Sequence, residues 1–315
     1  MITPNLSTPS AYCCTVTPFG PGGELDLEAV RVLVGRLGEG GVGAFIGTSS
    51  PGEGFSLTLE ETERFYATAK EAMGGRQQVR AMGVEPHSAD ETYRLIKVAE
   101  AVGLDAMQLY CLDLSHGNQP TIPELERFFR TNLERMTIPA VLSTHFMLGY
   151  VIPVEVIARL LDDYPHLVGI NCTTQSIPYL LSVLDVARGR AEVHVGGPQQ
   201  AVTVLALGGQ GFLCTEAILV PKLVGSLVAS AAAGDDRAVA AAYHAVMSLA
   251  AVNRWPGGSV RFTKAAMRVL GLPGHHLRPP YLPLDEPAHE EIRAGIAALG
   301  VDDIDQLLAA EGIAR

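Results

Sequence analysis

Short runs of apolar residues alternate along the chain with longer segments in which apolar positions recur every three or four residues. An uninterrupted apolar run of four to six residues is typical of a strand buried on both faces, and the longer spacing predicts an amphipathic helix. The predicted strands cover residues 11–16, 42–47, 78–83, 106–110, 140–143, 167–171, 192–196 and 211–215. The predicted helices that follow them cover 26–38, 58–73, 88–102, 122–135, 153–161, 177–187, 199–207 and 221–233.

Strand and helix alternate about eight times, and eight is the number that closes a (β/α)8 TIM barrel. A doubly wound parallel sheet is the structural alternative. After residue 233 only helical patterns continue, over 236–252, 259–270 and 287–299. The sequence therefore predicts an N-terminal tail (1–10), an α/β barrel (11–234) and a C-terminal helical extension (235–315).

Two predicted helices begin with the spacing of a capping box, in which a hydroxyl and a carboxylate three residues apart bond each other's backbone N–H groups. Thr58 with Glu61 opens the second helix, and Ser88 with Glu91 opens the third. Both are expected helix starts.

Composition restricts the class of partner. The 315 residues are 48% apolar and 18% charged, with a formal net charge of -11 and a pI near 5.3. A large core fits this composition, whereas a nucleic-acid or anionic-membrane partner would require excess Lys and Arg. We expect a small-molecule ligand, with no nucleic acid and no membrane.

The five cysteines and the N-terminus favour a cytoplasmic location. The cysteine count is odd and there is no C-x-x-C pair, so neither a disulfide framework nor a zinc module is indicated. The first ten residues lack the basic start and apolar run of a signal peptide, and no apolar stretch reaches the roughly 20 residues of a membrane span.

Several motifs in order along the chain resemble the dihydrodipicolinate synthase and N-acetylneuraminate lyase family. The motifs that carry the resemblance are TVTPF (15–19), GELD (23–26), GTSSPGE (47–53), SLTLEE (56–61), KAAMRVLGL (264–272) and LRPPYLPL (277–284). The resemblance implies a TIM barrel, usually a tetramer, and class I aldolase chemistry. In that chemistry a lysine at the end of strand six forms a Schiff base with pyruvate or a related 2-oxo acid.

The sequence departs from this pattern at two catalytic positions. The segment LVGINCTT (167–174) resembles the family's strand six but has Asn171 at the lysine position, and an amide nitrogen cannot form an imine. On strand five, Ser143 stands at the position of the family's proton-shuttling tyrosine and is far less acidic than a phenol. After strand four, Tyr110 matches the first tyrosine of the family's Pro-Tyr-Tyr run and Cys111 replaces the second. The four lysines all fall in predicted helices: Lys70, Lys97, Lys222 and Lys264.

Polar residues at the ends of strands five, six and eight are the catalytic candidates, because barrel enzymes carry their chemistry there. His145 is the first choice for a general acid or base, and Asn171 is expected to donate to a carbonyl or enolate oxygen. Glu216 is expected to pair with His145 or, as a weaker alternative, to help bind a metal, and Ser143 completes the set. The structural alternatives are a histidine and an asparagine that only make local hydrogen bonds.

Substrate-binding candidates lie beside them. Thr48, Ser49 and Ser50 offer hydroxyl and N–H groups to a carboxylate, although Ser, Pro and Gly are also ordinary turn residues. Tyr110, Thr144 and Thr173 are further candidates, and Glu53 is expected to bond backbone N–H groups beneath its loop. Cys172 is expected to be a buried, unreactive thiol. No cofactor and no metal are expected.

The sequence thus favours a lyase-like enzyme that acts on a small oxo acid or carbonyl compound through non-covalent acid and base chemistry. The alternatives are a catalytically silent ligand-binding or regulatory protein and an ordinary Schiff-base aldolase. The lysine positions oppose the last of these. A homodimer or homotetramer is expected from the resemblance and from the apolar C-terminal helices.

Overall fold

The computed structural model describes residues 6, 8–256 and 258–311, and its central feature is a closed barrel of eight parallel strands in chain order. The predicted (β/α)8 barrel is therefore confirmed. The strands are β1 (Ser10–Cys14), β2 (Gly43–Ile46), β3 (Val79–Ala81), β4 (Ala106–Leu109), β5 (Ala140–His145), β6 (Leu167–Thr173), β7 (Glu192–Gly196) and β8 (Gly211–Cys214).

Each strand is followed by a helix, and four more helices lie beyond the eighth pair in the described residues. The first eight are α1 (Leu27–Glu39), α2 (Leu59–Met73), α3 (Ala89–Val102), α4 (Ile122–Leu133), α5 (Val154–Asp163), α6 (Ile177–Ala187), α7 (Ala201–Ala206) and α8 (Pro221–Ala233). The C-terminal helices are α9 (Asp236–Val252), α10 (Ser259–Val269), α11 (Glu286–Ala297) and α12 (Asp302–Ala310). Sequence analysis missed α12, and most of the predicted tail (1–5 and 7) lies outside the described residues.

The two expected helix starts differ in how they are capped. The Thr58 side chain accepts from the Glu61 N–H and the Glu61 carboxylate accepts from the Thr58 N–H, so that capping box is complete. Ser88 accepts from the Glu91 N–H at 3.3 Å, but the Glu91 carboxylate accepts instead from the N–H of His87. The third helix therefore begins with only half of the predicted box.

The chain divides into two compact units. The middle unit comprises residues 80–213 with residues 1–9, and the terminal unit comprises residues 10–79 and 214–315. These limits differ from the domain boundaries that the sequence predicts, which stay a prediction.

The middle unit carries a polar inward face on its parallel strands. In the register of β4 to β7, Gln108 lies opposite Val141, Ser143 opposite Asn171, and Asn171 opposite His194. Because side chains alternate along a strand, residues paired in register share one face of the sheet. This face therefore places Gln108, Ser143, Asn171 and His194 together, all of them buried.

The deepest of these polar contacts is an ion pair between β3 and β7. Arg80 Nη2 donates to Glu192 Oε2 at 2.9 Å, and the two side chains are only 1% and 3% exposed. Burial lowers the pKa of the neighbouring His194 to about 4, so its imidazole is neutral between these charges. Removing one partner of such a buried ion pair strongly destabilises the folded protein, because the other charge remains buried without compensation.

The terminal unit contains a long-range helix cap. α8 begins after Val220, which makes no side-chain cap, and the carboxylate of Asp303 on α12 accepts from the Leu223 N–H at 3.0 Å. The same helix lies very close to the end of α1, since a Cβ on Gly225 would lie 1.8 Å from the carbonyl oxygen of Gly40. Only glycine permits this approach.

We predict that Arg80→Met lowers the free energy of unfolding by about 3 to 5 kcal/mol, because it leaves the Glu192 charge buried and unpaired. The double variant Arg80→Met with Glu192→Leu should recover most of the loss. Urea denaturation followed by circular dichroism measures both.

The matched control is Arg135→Met. Arg135 pairs with Asp90 on the surface, where the two side chains are 41% and 77% exposed. An exposed pair contributes less than about 1 kcal/mol, so this variant should unfold nearly as the parent does. Equal losses for Arg80→Met and Arg135→Met would contradict the proposed energetic role of the buried pair.

Candidate active site

The candidate site lies at the C-terminal ends of β5 and β6 in the middle unit. Both strands run two residues further than the sequence predicts, to His145 and Thr173. In the register of the two strands Ser143 pairs with Asn171, and His145 pairs with Thr173. The strand extension therefore fixes Ser143 and His145 on one inward face, which the sequence suggested only weakly.

His145 lies against a carboxylate and has one nitrogen without a partner. Its Nε2 is 3.4 Å from Glu85 Oε1, and its buried Nδ1 has no hydrogen-bond partner among the residues that the structure describes. Since the carboxylate can only accept, Nε2 carries the proton in the neutral ring and Nδ1 carries a lone pair. The Tyr110 ring packs edge-on against the imidazole, with 5.6 Å between the centroids.

Asn171 is held by a second amide. Its Nδ2 donates to Gln108 Oε1, and both side chains are 2% exposed. The Asn171 Oδ1 atom is buried and has no partner in the described part of the chain. The amide therefore offers one remaining N–H and one unmet acceptor.

Ser143 and Thr173 complete the polar surface. The Ser143 side chain is buried, and its backbone carbonyl accepts from the Cys111 thiol at 3.2 Å. Thr173 occupies space that a side chain on β7 would need, because a Cβ on Gly196 would lie 2.0 Å from Thr173 Oγ1. Glycine at 196 thus lets Thr173 point inward beside His145.

Thr144 bonds groups of the segment that follows β5, and the ligand contact that the sequence expects of it stays a prediction. Its side chain is fully buried, its Oγ1 accepts from the Ile152 N–H at 3.1 Å, and it lies 2.9 Å from the Tyr179 hydroxyl. Tyr179 in turn donates to the Ile152 carbonyl. Thr144 therefore fixes the segment after β5 and acts as a positioning residue.

Two residues of this cluster were missed by sequence analysis. Glu85 follows β3 and is the carboxylate that approaches His145, whereas the sequence paired His145 with Glu216. Gln108 lies inside β4. The first is recognisable as an acidic residue just beyond a predicted strand, and the second as a polar residue at an alternate position of an apolar run.

The loop after β2 belongs to the terminal unit, where its polar groups are largely used within the loop. Thr48 Oγ1 accepts from the Gly52 N–H at 2.9 Å, and the Ser49 carbonyl accepts from the Glu53 N–H at 3.0 Å. Glu53 and Lys264 are both 1% exposed and form an ion pair of 2.5 Å, and Glu53 also accepts from the Arg278 N–H. The structure agrees with a structural role for Glu53, and ligand binding by Thr48, Ser49 and Ser50 stays a prediction.

Glu216 opens a short 3-10 helix after β8 in the same unit. Burial raises the pKa of its carboxyl, and the carboxylate in turn contributes to raising the pKa values of Cys13, Cys14 and Cys214. The pairing of Glu216 with His145 stays a prediction.

Burial makes two cysteine thiols unreactive. Burial raises the pKa values of Cys111 and Cys172 to about 12, so both thiols are protonated at neutral pH and are poor nucleophiles. No group of three or more His, Cys, Asp or Glu side chains suited to a metal ion occurs among the described residues.

A closed (β/α)8 barrel with ionisable and amide side chains at the strand ends is typical of barrel proteins that bind their ligands at those ends. The chain belongs to the dihydrodipicolinate synthetase family, whose model matches residues 10–299. The expected family is therefore confirmed, and with it an aldolase and lyase superfamily of this type.

Known relatives cover almost the whole chain. A 4-hydroxy-tetrahydrodipicolinate synthase of Nitrosospira multiformis is 28% identical over 95% of this chain and 98% of its own length. The enzyme of the same name from Fervidobacterium nodosum is 26% identical over 91% of this chain and 96% of its own. The homologues are named as synthases, which supports a lyase-like enzyme.

Solved structures show the same fold. A monomeric dihydrodipicolinate synthase variant superposes with a TM-score of 0.87 at 24% identity, covering 96% of this chain and 100% of its own. The prophage protein YagE of E. coli K12, solved in complex with pyruvate, has a TM-score of 0.85 at 23% identity, covering 93% and 99%. The homodimer or homotetramer expected from the sequence stays a prediction.

All four lysines lie on helices. Lys70, Lys97, Lys222 and Lys264 lie on α2, α3, α8 and α10, as the sequence predicts. Burial lowers the pKa of Lys264 to about 8, against the opposing effect of Glu53.

Among the described helices, none has the length and apolar character needed to cross a membrane.

We predict that Glu216→Gln stabilises the protein more at pH 8 than at pH 4. The raised pKa means that burial opposes ionisation in the folded state, so the destabilising effect grows as pH rises through the ordinary carboxyl range near 4.3. Urea midpoints at both pH values measure the difference. The exposed Glu155→Gln on α5 is the control, and an equal pH response of the two variants would contradict the assignment.

Proposed function

We propose that the protein is a lyase-type enzyme that acts on a small 2-oxo acid or related carbonyl compound by non-covalent acid and base chemistry. The observation that carries the proposal is the buried Nδ1 of His145, which has no partner among the described residues, in a ring oriented by Glu85. On the neighbouring strand β6, the Oδ1 atom of Asn171 is likewise unmet in the described part of the chain. A protein that only binds a ligand has no need of an oriented base. The catalytically silent alternative would leave that arrangement without a role.

His145 is the proposed general base. The Glu85 carboxylate accepts the Nε2 proton, fixes the tautomer and stabilises the imidazolium that forms when Nδ1 takes a proton. Nδ1 removes a proton from the carbon next to the substrate's carbonyl, and the C–H electron pair moves onto the carbonyl oxygen. Where Nδ1 instead removes the proton of a substrate hydroxyl, that oxygen forms a new C=O bond, the neighbouring C–C bond breaks, and its electron pair moves onto the carbonyl oxygen. In both cases the imidazolium then returns the proton to the carbon next to the carbonyl.

Asn171 and Ser143 are the proposed contacts to the reacting oxygen atoms. The Asn171 N–H that Gln108 does not use donates to the developing oxyanion, and a hydrogen bond of this kind is strongest where water is excluded. Asn171 Oδ1 and His145 Nδ1 are both acceptors, so the preferred substrate brings a hydroxyl as well as a carbonyl group. This donor and acceptor pattern favours hydroxylated oxo acids, in aldol cleavage, hydration or cyclisation.

The lysine positions support a mechanism without an imine. Asn171 is on β6, where the family resemblance implies the Schiff-base lysine, and all four lysines are on helices. Lys264 has the lowered pKa that favours imine formation, but its ammonium is held by Glu53 and by the His276 carbonyl at 2.6 Å. An amine that is paired twice in a buried position is a poor nucleophile.

We predict that the protein exchanges the methyl protons of pyruvate, or the C3 protons of a 4-hydroxy-2-oxo acid, with deuterium from D2O. His145→Ala should slow the exchange by about 100-fold or more, because it removes the base. Proton NMR of the 2-oxo acid measures the rate directly. His244→Ala, an exposed histidine on α9, is the matched control and should exchange at the parent rate.

Exchange that persists in His145→Ala would contradict the assignment of the base. The absence of exchange in the parent, together with saturable binding of the same acids, would favour the silent ligand-binding alternative.

We predict separately that pyruvate followed by borohydride leaves the mass of the intact protein unchanged, because all four lysines lie on helices and none stands on β6. Intact-mass spectrometry is the readout, and a lysine-dependent 4-hydroxy-tetrahydrodipicolinate synthase is the positive control. A reduced adduct mapped to any lysine, Lys264 above all, would restore the Schiff-base mechanism.

A further inference from the structure

A cationic cavity of about 410 Å³ lies in the terminal unit, between α10 and the chain from His275 to His289. Its lining includes six basic side chains, which are Arg261, Lys264, Arg268, His275, His276 and His289. The whole protein carries a formal charge of -11, so this concentration of basic groups is opposite in sign to the net charge of the chain.

One face of α10 supplies three of the six basic side chains. Arg261, Lys264 and Arg268 follow a spacing of three and four residues, which places their side chains along one stripe of the helix. Like charges on one stripe repel each other and destabilise a helix unless a counter-charge is present. Lys264 has such a counter-charge in the buried Glu53, and Arg268 pairs with the exposed Glu286.

Two histidines of the lining each hold one ring nitrogen against a backbone carbonyl. His275 Nδ1 lies 3.0 Å from the Leu272 carbonyl, and His289 Nδ1 lies 2.8 Å from the Asp285 carbonyl. Because a carbonyl only accepts, Nδ1 carries the proton in both neutral rings, and Nε2 carries a lone pair that can accept from a ligand hydroxyl.

Arg268 also reaches this wall of the cavity. Its Nη1 is 3.4 Å from His289 Nδ1, whose proton is directed to the Asp285 carbonyl. This contact is long for a hydrogen bond, so the guanidinium N–H can still donate to an oxygen of a ligand.

The carboxylates near the cavity do not neutralise it. Glu53 is taken up by Lys264 and the Arg278 N–H, away from the arginines of α10. Glu286 pairs with Arg268 at 2.8 Å, but the two side chains are 71% and 46% exposed, and such surface pairs rearrange at little cost. Burial and the neighbouring His275, Lys264 and Arg268 lower the pKa of His276, against the opposing effect of Glu24, which indicates a positive local potential.

The number and type of donors favour a dianion with several oxygens over a single carboxylate. Guanidinium groups bind phosphate through two parallel N–H donors. The volume is also within the range of small-molecule sites.

We propose that this cavity binds a phosphate monoester dianion, with the guanidinium groups of Arg261 and Arg268 as its donors. The cavity is a second ligand site, separate in its residues from the His145 and Asn171 cluster. It does not depend on the proposed function.

Isothermal titration calorimetry of the full chain with inorganic phosphate and with glycerol 3-phosphate, at constant ionic strength and pH 7, tests the proposal. We expect saturable one-site binding of both, and a much weaker response to acetate. Arg268→Gln and Arg261→Gln should each weaken binding about tenfold, since each removes a charge-assisted donor. The control is Arg293→Gln, an exposed arginine on α11 outside the cavity lining.

Thermal melting by circular dichroism confirms that each variant is folded, and two independent arginine variants protect the test against one that is not. Three results would overturn the proposal: no saturable heat with either phosphate compound, parental affinity in both arginine variants, or acetate binding as tightly as phosphate. Loss of binding in Arg293→Gln as well would also count against it.

Discussion

Side chains on the inward face of the barrel strands cannot reach bulk water through the sheet, so each polar group there must find a partner inside the protein. The middle unit meets this constraint with pairs that bridge non-adjacent strands. Arg80 on β3 bonds Glu192 on β7, and Gln108 on β4 bonds Asn171 on β6. These bridges order the inward face and hold Asn171 in a single orientation.

The constraint is relaxed towards the C-terminal ends of the strands. The Arg80 and Glu192 charges are paired with each other, whereas His145 Nδ1 and Asn171 Oδ1 have no partner among the described residues. Unmet acceptors are costly when buried, so a ligand that donates to these two atoms would offset that cost, which agrees with the proposed site. The same reasoning separates Ser143 and Asn171 from Thr144, whose hydroxyl is fully used in holding its own segment.

The sequence predicted the barrel well because buried parallel strands leave uninterrupted apolar runs, and most strand limits fell within two residues of the structure. It missed α12 because a helix of nine residues offers few apolar positions from which to establish a period. It also overlooked Glu85, an acidic residue just beyond a predicted strand, and Gln108, a polar residue within an apolar run. The sequence shows that both residues are polar, but their contacts with His145 and Asn171 join segments about 60 residues apart, which no local spacing reveals.

The cap that Asp303 provides to α8 has a consequence for the order in which the chain can mature. The acceptor of the Leu223 N–H lies 80 residues later in the sequence, so the last helix of the barrel leaves the ribosome long before its capping group exists. During synthesis the first turn of α8 must rely on solvent for that hydrogen bond. The first turn of α8 therefore gains this acceptor only after residue 303 has been synthesised, and premature termination before residue 303 would leave the helix without it.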